Sequence, residues 1–419
     1  MTEVVVIGGG IVGACSALEL LRDGHRVTLL EPGPPGGEQA ASYGNGCWLS
    51  PMSVIPPAVP GLWRKVPRFI ADPLGPLAIR WRYLPQAAPW LVRYLASGWT
   101  EARVARTAVA LRALLRDAPA LHARLAGEAG VPELIRRTGL IYAYPDRAAF
   151  AAEAMAWRIR RQVGIEWLEL SAEELRQREP ALDRRYGFGV LVEEGGHCLD
   201  PGAYVAALVA QAEALGARRL ARRATGFRIA GGRLQAVLTD AGEVPAERAV
   251  IAAGAHSQPL AAAAGDRVPL ETERGYHAMI EGAEAGPRTP MMPSDGKMSV
   301  TMTRRGLRCA GQVEIAGLAA APDWRRAAIL RDHLLRMFPA LPRDLPAERV
   351  RIWMGHRPSL PDGLPCLGPA RGTPDVVHAF GHGHVGLVAG ARSGRIVAQL
   401  IGGRVPEIDI VPFNARRFA

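Results

Sequence analysis

The chain has few cysteines, no long apolar run and no export-type leader, and each shortage narrows what it can be. Its five cysteines, Cys15, Cys47, Cys198, Cys309 and Cys366, are odd in number and scattered, with no CxxC pair. That argues against a disulfide framework or a cysteine zinc site and leads to the expectation of a reducing, cytoplasmic setting. Apolar stretches such as "VIAAGA" and "VGLVAGA" fall short of the roughly 20 residues that a spanning helix needs, so no transmembrane helix is predicted. The opening "MTEVVVIGGG" has neither a basic leader nor a small-residue cleavage site and runs straight into a glycine turn, so it reads as a first strand. Acidic residues are also in deficit, with 40 against 51 basic ones and a net charge of +11. A basic balance favours anionic partners: carboxylate substrates, phosphate-bearing cofactors, anionic lipid or nucleic acid. The excess is mostly arginine, which G+C-rich coding also produces, so charge alone names no partner.

What is present is a globular composition, 48% hydrophobic, over 419 residues, too long for one ordinary core. Two domains, consecutive or interleaved, are expected. The most informative stretch is "VVVIGGGIVGACSALELLRDGHRVTLLEPG". Val4 to Ile7 form a continuous apolar run, as a strand buried on both faces does. Gly8, Gly10 and Gly13 follow in GxGxxG spacing, Ile11 to Leu21 has helical periodicity, and "HRVTLLE" is a second strand ending in Glu31. The spacing assigns a tight turn to Gly8, close approach of a pyrophosphate to Gly10, and helix–strand packing to Gly13. The first helical turn, with Ile11 and Val12, offers free N–H groups to phosphates, and Glu31 can accept hydrogen bonds from ribose hydroxyls. A dinucleotide site follows, open between NAD and FAD.

After Glu31 the chain continues as "PGPPGGEQAASYGNGCWLSP", a long loop where a simple nicotinamide fold starts its next helix. This stretch resembles the D-amino-acid oxidase and dehydrogenase superfamily of flavoproteins, in which Ser-x-x-Asn-Gly follows the ribose acid, and "GNGCWLSP" is most like bacterial D-amino-acid dehydrogenases. The resemblance implies noncovalent FAD, with Ser42, Asn45 and Gly46 contacting it. It also implies an α/β Rossmann-type cofactor domain, discontinuous in sequence, and a substrate domain of mostly antiparallel sheet plus helices. The expected boundaries are 1–55, 185–270 and 350–419 for the cofactor domain, and 56–184 and 271–349 for the substrate domain.

Pro56 to Trp99 is dense in proline, tryptophan and arginine. It reads either as a helical lid over the cofactor or as an amphipathic surface resting on a membrane; in the resembled dehydrogenases electrons leave for a membrane acceptor. Glu101 to Ala129 is helical in pattern with a basic face, and no nucleic-acid reading motif accompanies it, so nucleic acid is not an expected partner. Asp200 is a good N-cap before Pro201, predicting a helix to about Gly216. By the resemblance, "RAVIAAGAHS" returns to the cofactor domain with Ala253 and Gly254 against FAD. "VPLETERGYHAMI" and "SVTMTRRGLRCAGQVEI" predict a sheet that could aim Tyr276 and His277 at a ligand.

Near the C-terminus, "GHRPSLPDGLPCLGP" matches the superfamily's G-x-R-P-x-x-P-D-x-x-P-x-x-G segment. An arginine bracketed by proline can bind a carboxylate through two charge-assisted bonds, and by resemblance Arg357 is that anchor; a structural ion pair with Asp362 is the alternative. "FGHGHVGLVAGARSG" then places Gly381, His382, Gly383, His384, Gly386 and Leu387 at the start of a small-residue helix, whose N-terminus in the family points at the flavin. A metal on His382 and His384 lacks further ligands nearby, so none is expected; His382 stays a secondary catalytic candidate. Cys309 and Cys366 are the candidate flavin attachment points, with noncovalent binding the default.

The resemblance implies FAD-dependent oxidative deamination of a D-amino acid, or of a cyclic imino acid such as D-proline or hydroxyproline, by hydride transfer to flavin N5. The imine then hydrolyses to a 2-oxo acid and ammonia. Because the flavin carries the chemistry, no side-chain acid or base is required. Oxygen and a quinone-type carrier stay open as acceptors, a sarcosine- or glycine-type amine or an RNA-borne amine as substrates, and simple dinucleotide binding as a non-catalytic reading. The expected location is cytoplasmic, with peripheral attachment to the inner membrane as a variant.

Overall fold

A computed structural model describes all 419 residues. The first strand, β1 (Glu3–Ile7), is buried from Val4 onward and flanked on both sides. It runs parallel to β2 (Arg26–Leu30) and to Arg248–Ile251, the two strands that sandwich it. The full sheet has six strands in the order 218–220, β2, β1, 248–251, 376–380, 366–369. All are parallel neighbours except the last, which pairs antiparallel. The glycine turn leads into helix α1 (Ile11–Arg22), buried through its first ten residues.

What covers α1 comes from the far end of the chain. The closing helix Gly386–Ile401 crosses it through small residues: a Cβ on Gly394 would lie 2.7 Å from the Cys15 carbonyl carbon, and one on Gly390 2.8 Å from Ile11 Cγ1. Backbone therefore meets backbone, and the two helices share the largest hydrophobic cluster with Pro201–Ala214. That last helix is capped as the sequence predicts, with the Asp200 carboxylate accepting from Ala203 N at 3.0 Å.

The second large sheet has nine strands, in the order 350–359, 271–281, 306–315, 299–303, 291–293, 140–144, 188–192, 168–170, with Leu77–Ile79 attached to the end of 306–315. It is mainly antiparallel, with parallel pairings at 291–293 with 140–144 and at 77–79 with 313–315. Helix Arg325–Met337 packs on one face of this roof. A three-stranded meander over 224–245 hangs beside the first sheet.

Three expectations are adjusted. The strand Val350–Ser359 pairs with Glu271–Glu281 in the roof, so the return to the cofactor sheet comes after Ser359 rather than at 350. Phe188–Val192 also belongs to the roof, beyond the expected boundary at 185. The helical region 101–129 is two helices, Glu101–Leu115 and Ala118–Glu128, broken where Asp117 adopts φ +61° and Arg392 takes the Arg116 carbonyl. Replacing Gly394 with Leu forces α1 and the closing helix apart and is expected to lower stability by about 1–3 kcal/mol, read as a shift in the denaturant midpoint.

Candidate active site

The two sheets enclose a cavity of about 1410 Å³. That exceeds the roughly 300–1,000 Å³ of a site for one small ligand and leaves space for a large cofactor and a substrate together. Its lining carries six cations, Lys65, Arg68, Arg222, Arg223, Lys297 and Arg357, against Glu31, Asp72 and Asp295, which suits anionic contents.

The phosphate end is built by the glycines. Gly8 has φ +106°, and a Cβ there would lie 2.4 Å from the Ala252 carbonyl oxygen; a Cβ on Gly13 would lie 1.8 Å from Gly8 O. Those two are locked by packing, and Gly13 does not line the cavity. Gly10 is different: a Cβ there meets only Ser42 Oγ, at 3.5 Å, and Gly10 caps α1 without a side chain. The first turn of α1, with Gly10, Ile11 and Val12, is thus bare backbone at the cavity wall, a cradle that fits a pyrophosphate. Glu31 accepts from Gly9 N at 2.7 Å and Gly33 N at 3.0 Å, so it braces the turn while still facing the cavity. Ser42 accepts from Ile11 N at 3.1 Å, tying the long loop to the helix N-terminus. These residues fit FAD, whose adenosine end Glu31 and whose pyrophosphate the α1 turn would hold.

Asn45 shapes its own loop, donating to Ser42 O at 2.8 Å and accepting from Cys47 N at 2.7 Å. The loop is then held from the roof through its carbonyls. His277 Nδ1–H donates to Gly44 O at 3.0 Å, Arg308 donates to Tyr43 O and Asn45 O, and Thr301 donates to Gly46 O at 3.1 Å. Gly46 has no room for a side chain, since its Cβ would lie 2.0 Å from Ser299 Oγ.

The roof face above the cavity alternates Glu273, Gly275 and His277 on one strand, opposite Arg357, Gly355 and Trp353 on its neighbour. Each glycine makes room for the bulky residue beside it. A Cβ on Gly275 would lie 2.2 Å from the Arg357 guanidinium carbon, and one on Gly355 1.9 Å from the Trp353 ring. Arg357 therefore lies across Gly275, donating to Gln312 O at 2.9 Å and Gly311 O at 3.3 Å, and faces the cavity. Burial pulls its pKa down and Glu273 opposes that pull. Asp362, the alternative partner, pairs instead with Arg417 at 2.6 Å.

Two sequence candidates on this strand do not reach the cavity, one because of strand alternation and one because the cofactor loop covers it. Tyr276 points to the opposite face, where its hydroxyl donates to Glu314 at 2.7 Å and accepts from Asp323 N at 3.0 Å; burial, then Glu314, pushes its pKa up to about 12. His277 is on the near face but behind the cofactor loop, stacked on Trp353 with centroids 5.4 Å apart, and burial, then Arg308, pushes its pKa down to about 3. His382 is a third correction: its imidazole turns into the interior onto Ser393 Oγ at 3.0 Å, and burial takes its pKa to about 3. Its neighbour His384 goes the other way, to Glu273 at 2.6 Å, so the two imidazoles do not converge.

The remaining candidates, Ala253, Gly254, Gly381, Gly383, Gly386 and Leu387, line the cavity, with positive φ at Gly254, Gly381 and Gly383. Cys309 and Cys366 are buried away from it. The lid reading of 56–99 holds for its inner side, where Leu62, Phe69 and Leu77 close the cavity. Outside, Trp63 and Trp99 stack at the surface, 48% and 58% exposed. Sequence reading missed Gly275, Trp353, Gln312 and Arg326. Arg326 is a fully buried guanidinium that donates to the lid carbonyls of Pro73 and Gly75 and to Gln312 Oε1. Gln312, at φ +61°, is the residue whose carbonyl holds Arg357. The only visible signal is the small residue inside "ERGYH". Gly275→Ala is expected to push the Arg357 guanidinium off its carbonyls. Loss of one well-placed charge-assisted contact then weakens binding of a plain carboxylate ligand about tenfold or more while the protein stays folded, read by ligand titration and circular dichroism.

Comparison with known proteins agrees with this geometry. The family model DAO, FAD dependent oxidoreductase, matches residues 3–400. A D-amino-acid oxidase of Bradyrhizobium diazoefficiens is 63% identical over 416 residues, covering 99% of both chains. A D-amino acid dehydrogenase of Methylobacterium sp. is 32% identical, covering 99% of both. Among solved structures, glycine oxidase from Geobacillus kaustophilus superposes with TM-score 0.70 at 22% identity, covering 99% of both. An L-amino acid deaminase from Proteus myxofaciens gives 0.74 at 16% identity, covering 100% of this chain and 94% of that one. A cavity walled by a GxGxxG turn and roofed by an arginine-bearing sheet, together with a family match over nearly the whole length, places the chain in the DAO family of FAD-dependent oxidoreductases.

Proposed function

We propose that the enzyme oxidatively deaminates D-amino acids, with Arg357 holding the substrate α-carboxylate. The observation that carries this is a guanidinium facing the cavity across Gly275, combined with the 63% identity to a D-amino-acid oxidase. Bound FAD supplies a two-electron acceptor for the hydride on the substrate's Cα. The chain's own residues do the positioning. Arg357 fixes the carboxylate through donors left over from its two carbonyl bonds, which holds Cα in one orientation and makes the transfer effectively intramolecular. The apolar lid residues Leu62, Phe69 and Leu77 receive the side chain and exclude water. The first turn of α1, Glu31, the 42–46 loop and the start of the closing helix hold the cofactor. The imine product hydrolyses to a 2-oxo acid and ammonia.

Oxygen is the proposed electron acceptor, on the name of the 63% identical relative. A second reading, transfer to a quinone at a membrane surface, is favoured by the dehydrogenase relatives and by the outward tryptophans Trp63, Trp81 and Trp99 beside Arg64 and Arg82. No helix is long and apolar enough to cross a membrane, so such contact is peripheral.

Anaerobic titration of the yellow protein with D- and L-amino acids tests the substrate class: D-isomers with apolar side chains bleach the flavin, and bleaching by L-isomers alone overturns the reading. Removing a buried, hydrogen-bonded charge partner costs roughly 2–5 kcal/mol, so Arg357→Ala is expected to lower kcat/KM about a hundredfold or more. Peroxide yield per substrate oxidised, compared with dye reduction, separates oxygen from quinone.

A further inference from the structure

We infer that His384, oriented by Glu273, accepts the proton from the substrate's ammonium group before its Cα hydride departs. The inference rests on the amine oxidation proposed above and gives that site a base that sequence reading did not require.

Glu273 sits on the roof strand directly opposite Arg357, on the same sheet face, and is only 3% exposed. Its Oε2 meets His384 Nε2 at 2.6 Å. Burial pushes the Glu273 carboxyl up, but His384, then Arg357 and Ser359, outweigh burial and hold it below its ordinary value. An ionised carboxylate only accepts, so Nε2 carries the hydrogen and Nδ1 presents its lone pair. Nδ1 makes no hydrogen bond within the protein, while the His384 side chain is 40% exposed and lines the cavity. A buried carboxylate thus fixes the tautomer of an imidazole whose other nitrogen is open to the site, the division of labour of an Asp–His pair in acyl-transfer enzymes.

Glu273 also links this imidazole to the anchor, because it is paired across the strands with Arg357, feels its charge, and bonds His384. A carboxylate on Arg357 brings the α-nitrogen to the same corner. The other histidines do not offer this. His382 is sunk against Ser393, His277 is spent on Gly44, His356 bonds Thr272, and His256 sits beside Glu31. The remaining titratable neighbours of the dyad are Glu271 on the roof strand and Tyr94 on the lid helix Leu84–Ser97.

The chemistry needs such a group. An amino acid binds as ammonium carboxylate, and ammonium has no lone pair to form a carbon–nitrogen double bond. One proton passes from nitrogen to His384 Nδ1, giving a neutral amine and an imidazolium. The Cα–H bond then breaks with both electrons going to FAD, the nitrogen lone pair forms the C=N bond, and an iminium results. The imidazolium later returns its proton to water.

The test uses the FAD-bound enzyme, His384→Asn and His384→Gln, and two unreactive probes read by flavin absorbance across pH. One is 2-aminoisobutyrate, which lacks a Cα hydrogen, and the other is isobutyrate, which lacks the amine and so has no nitrogen lone pair to form a C=N bond. In the wild type, aminoisobutyrate affinity falls as the pH is lowered, up to tenfold per pH unit, because one proton must be taken up from the bound ammonium. Isobutyrate affinity rises over the same range, because the imidazolium adds a positive charge. Both dependences flatten in both variants. With a reactive D-amino acid, the variants lose about a hundredfold in kcat/KM at neutral pH and recover toward wild type where the free amine is already neutral. Unchanged probe profiles in the variants, or a loss uniform at all pH values, overturns the inference. If no D-amino acid reduces the wild-type flavin, the functional proposal fails on its own, and the two probes still report on His384.

Discussion

Laying a guanidinium against a β-sheet requires room beneath it and carbonyls to receive its donors, and much of the site follows from meeting those two needs. Gly275 provides the room, since any side chain there would collide with Arg357. The carbonyls come from Gly311 and Gln312, where the neighbouring strand kinks through a positive φ at Gln312. A glycine on one strand and a bulge on the next thus fix a side chain on a third. The same device repeats one pair along, where Gly355 makes room for Trp353, on which His277 stacks and the cofactor loop rests at Gly44. One sheet face in this way holds both Arg357 and the underside of the 42–46 loop.

Those parts of the fold that local interactions determine are legible in the chain itself. The run from Val4 to Glu31 encodes strand, turn, helix and strand within fewer than thirty residues, and Gly8 and Gly13 make the tight turn and the close packing that their spacing assigns. Asp200 and Pro201 announce their helix for the same reason, because a cap is a local interaction. The roof is harder to read. Alternation in "ERGYH" shows that Tyr276 and His277 face opposite ways, but not which way is the cavity. That depends on pairing with residues around 311 and 355, far along the chain. Tyr276 proves to face the Arg325–Met337 helix, and His277 the back of the loop. The paired histidines near the C-terminus pose a similar difficulty: two residues apart, they are divided between Ser393 on the helix that follows them and Glu273 on the roof. The expected domain boundary at 350 fails because proline-rich "GHRPSLPDG" reads as a turn, while its first half is paired strand.

Membership of a family does not by itself tell which side chains meet the ligands and which support them. The geometry separates groups that face the cavity from groups that hold those in place. Arg357 and His384 are of the first kind; Glu273, His277, Arg308 and Arg326 are of the second.

Arg326 grips the lid only by the backbone carbonyls of Pro73 and Gly75. No lid side chain takes part in that grip, and the pairing of Leu77 with Val313 is likewise main chain to main chain. At this stretch the lid's position does not depend on its own side chains, whereas farther along it does, through Arg80 on Glu314 and Tyr83 on Glu271. The segment 73–77 is thus held whatever side chains it carries, so a change of shape at Leu77 alters what the cavity admits while Arg326 keeps that edge of the cover in place.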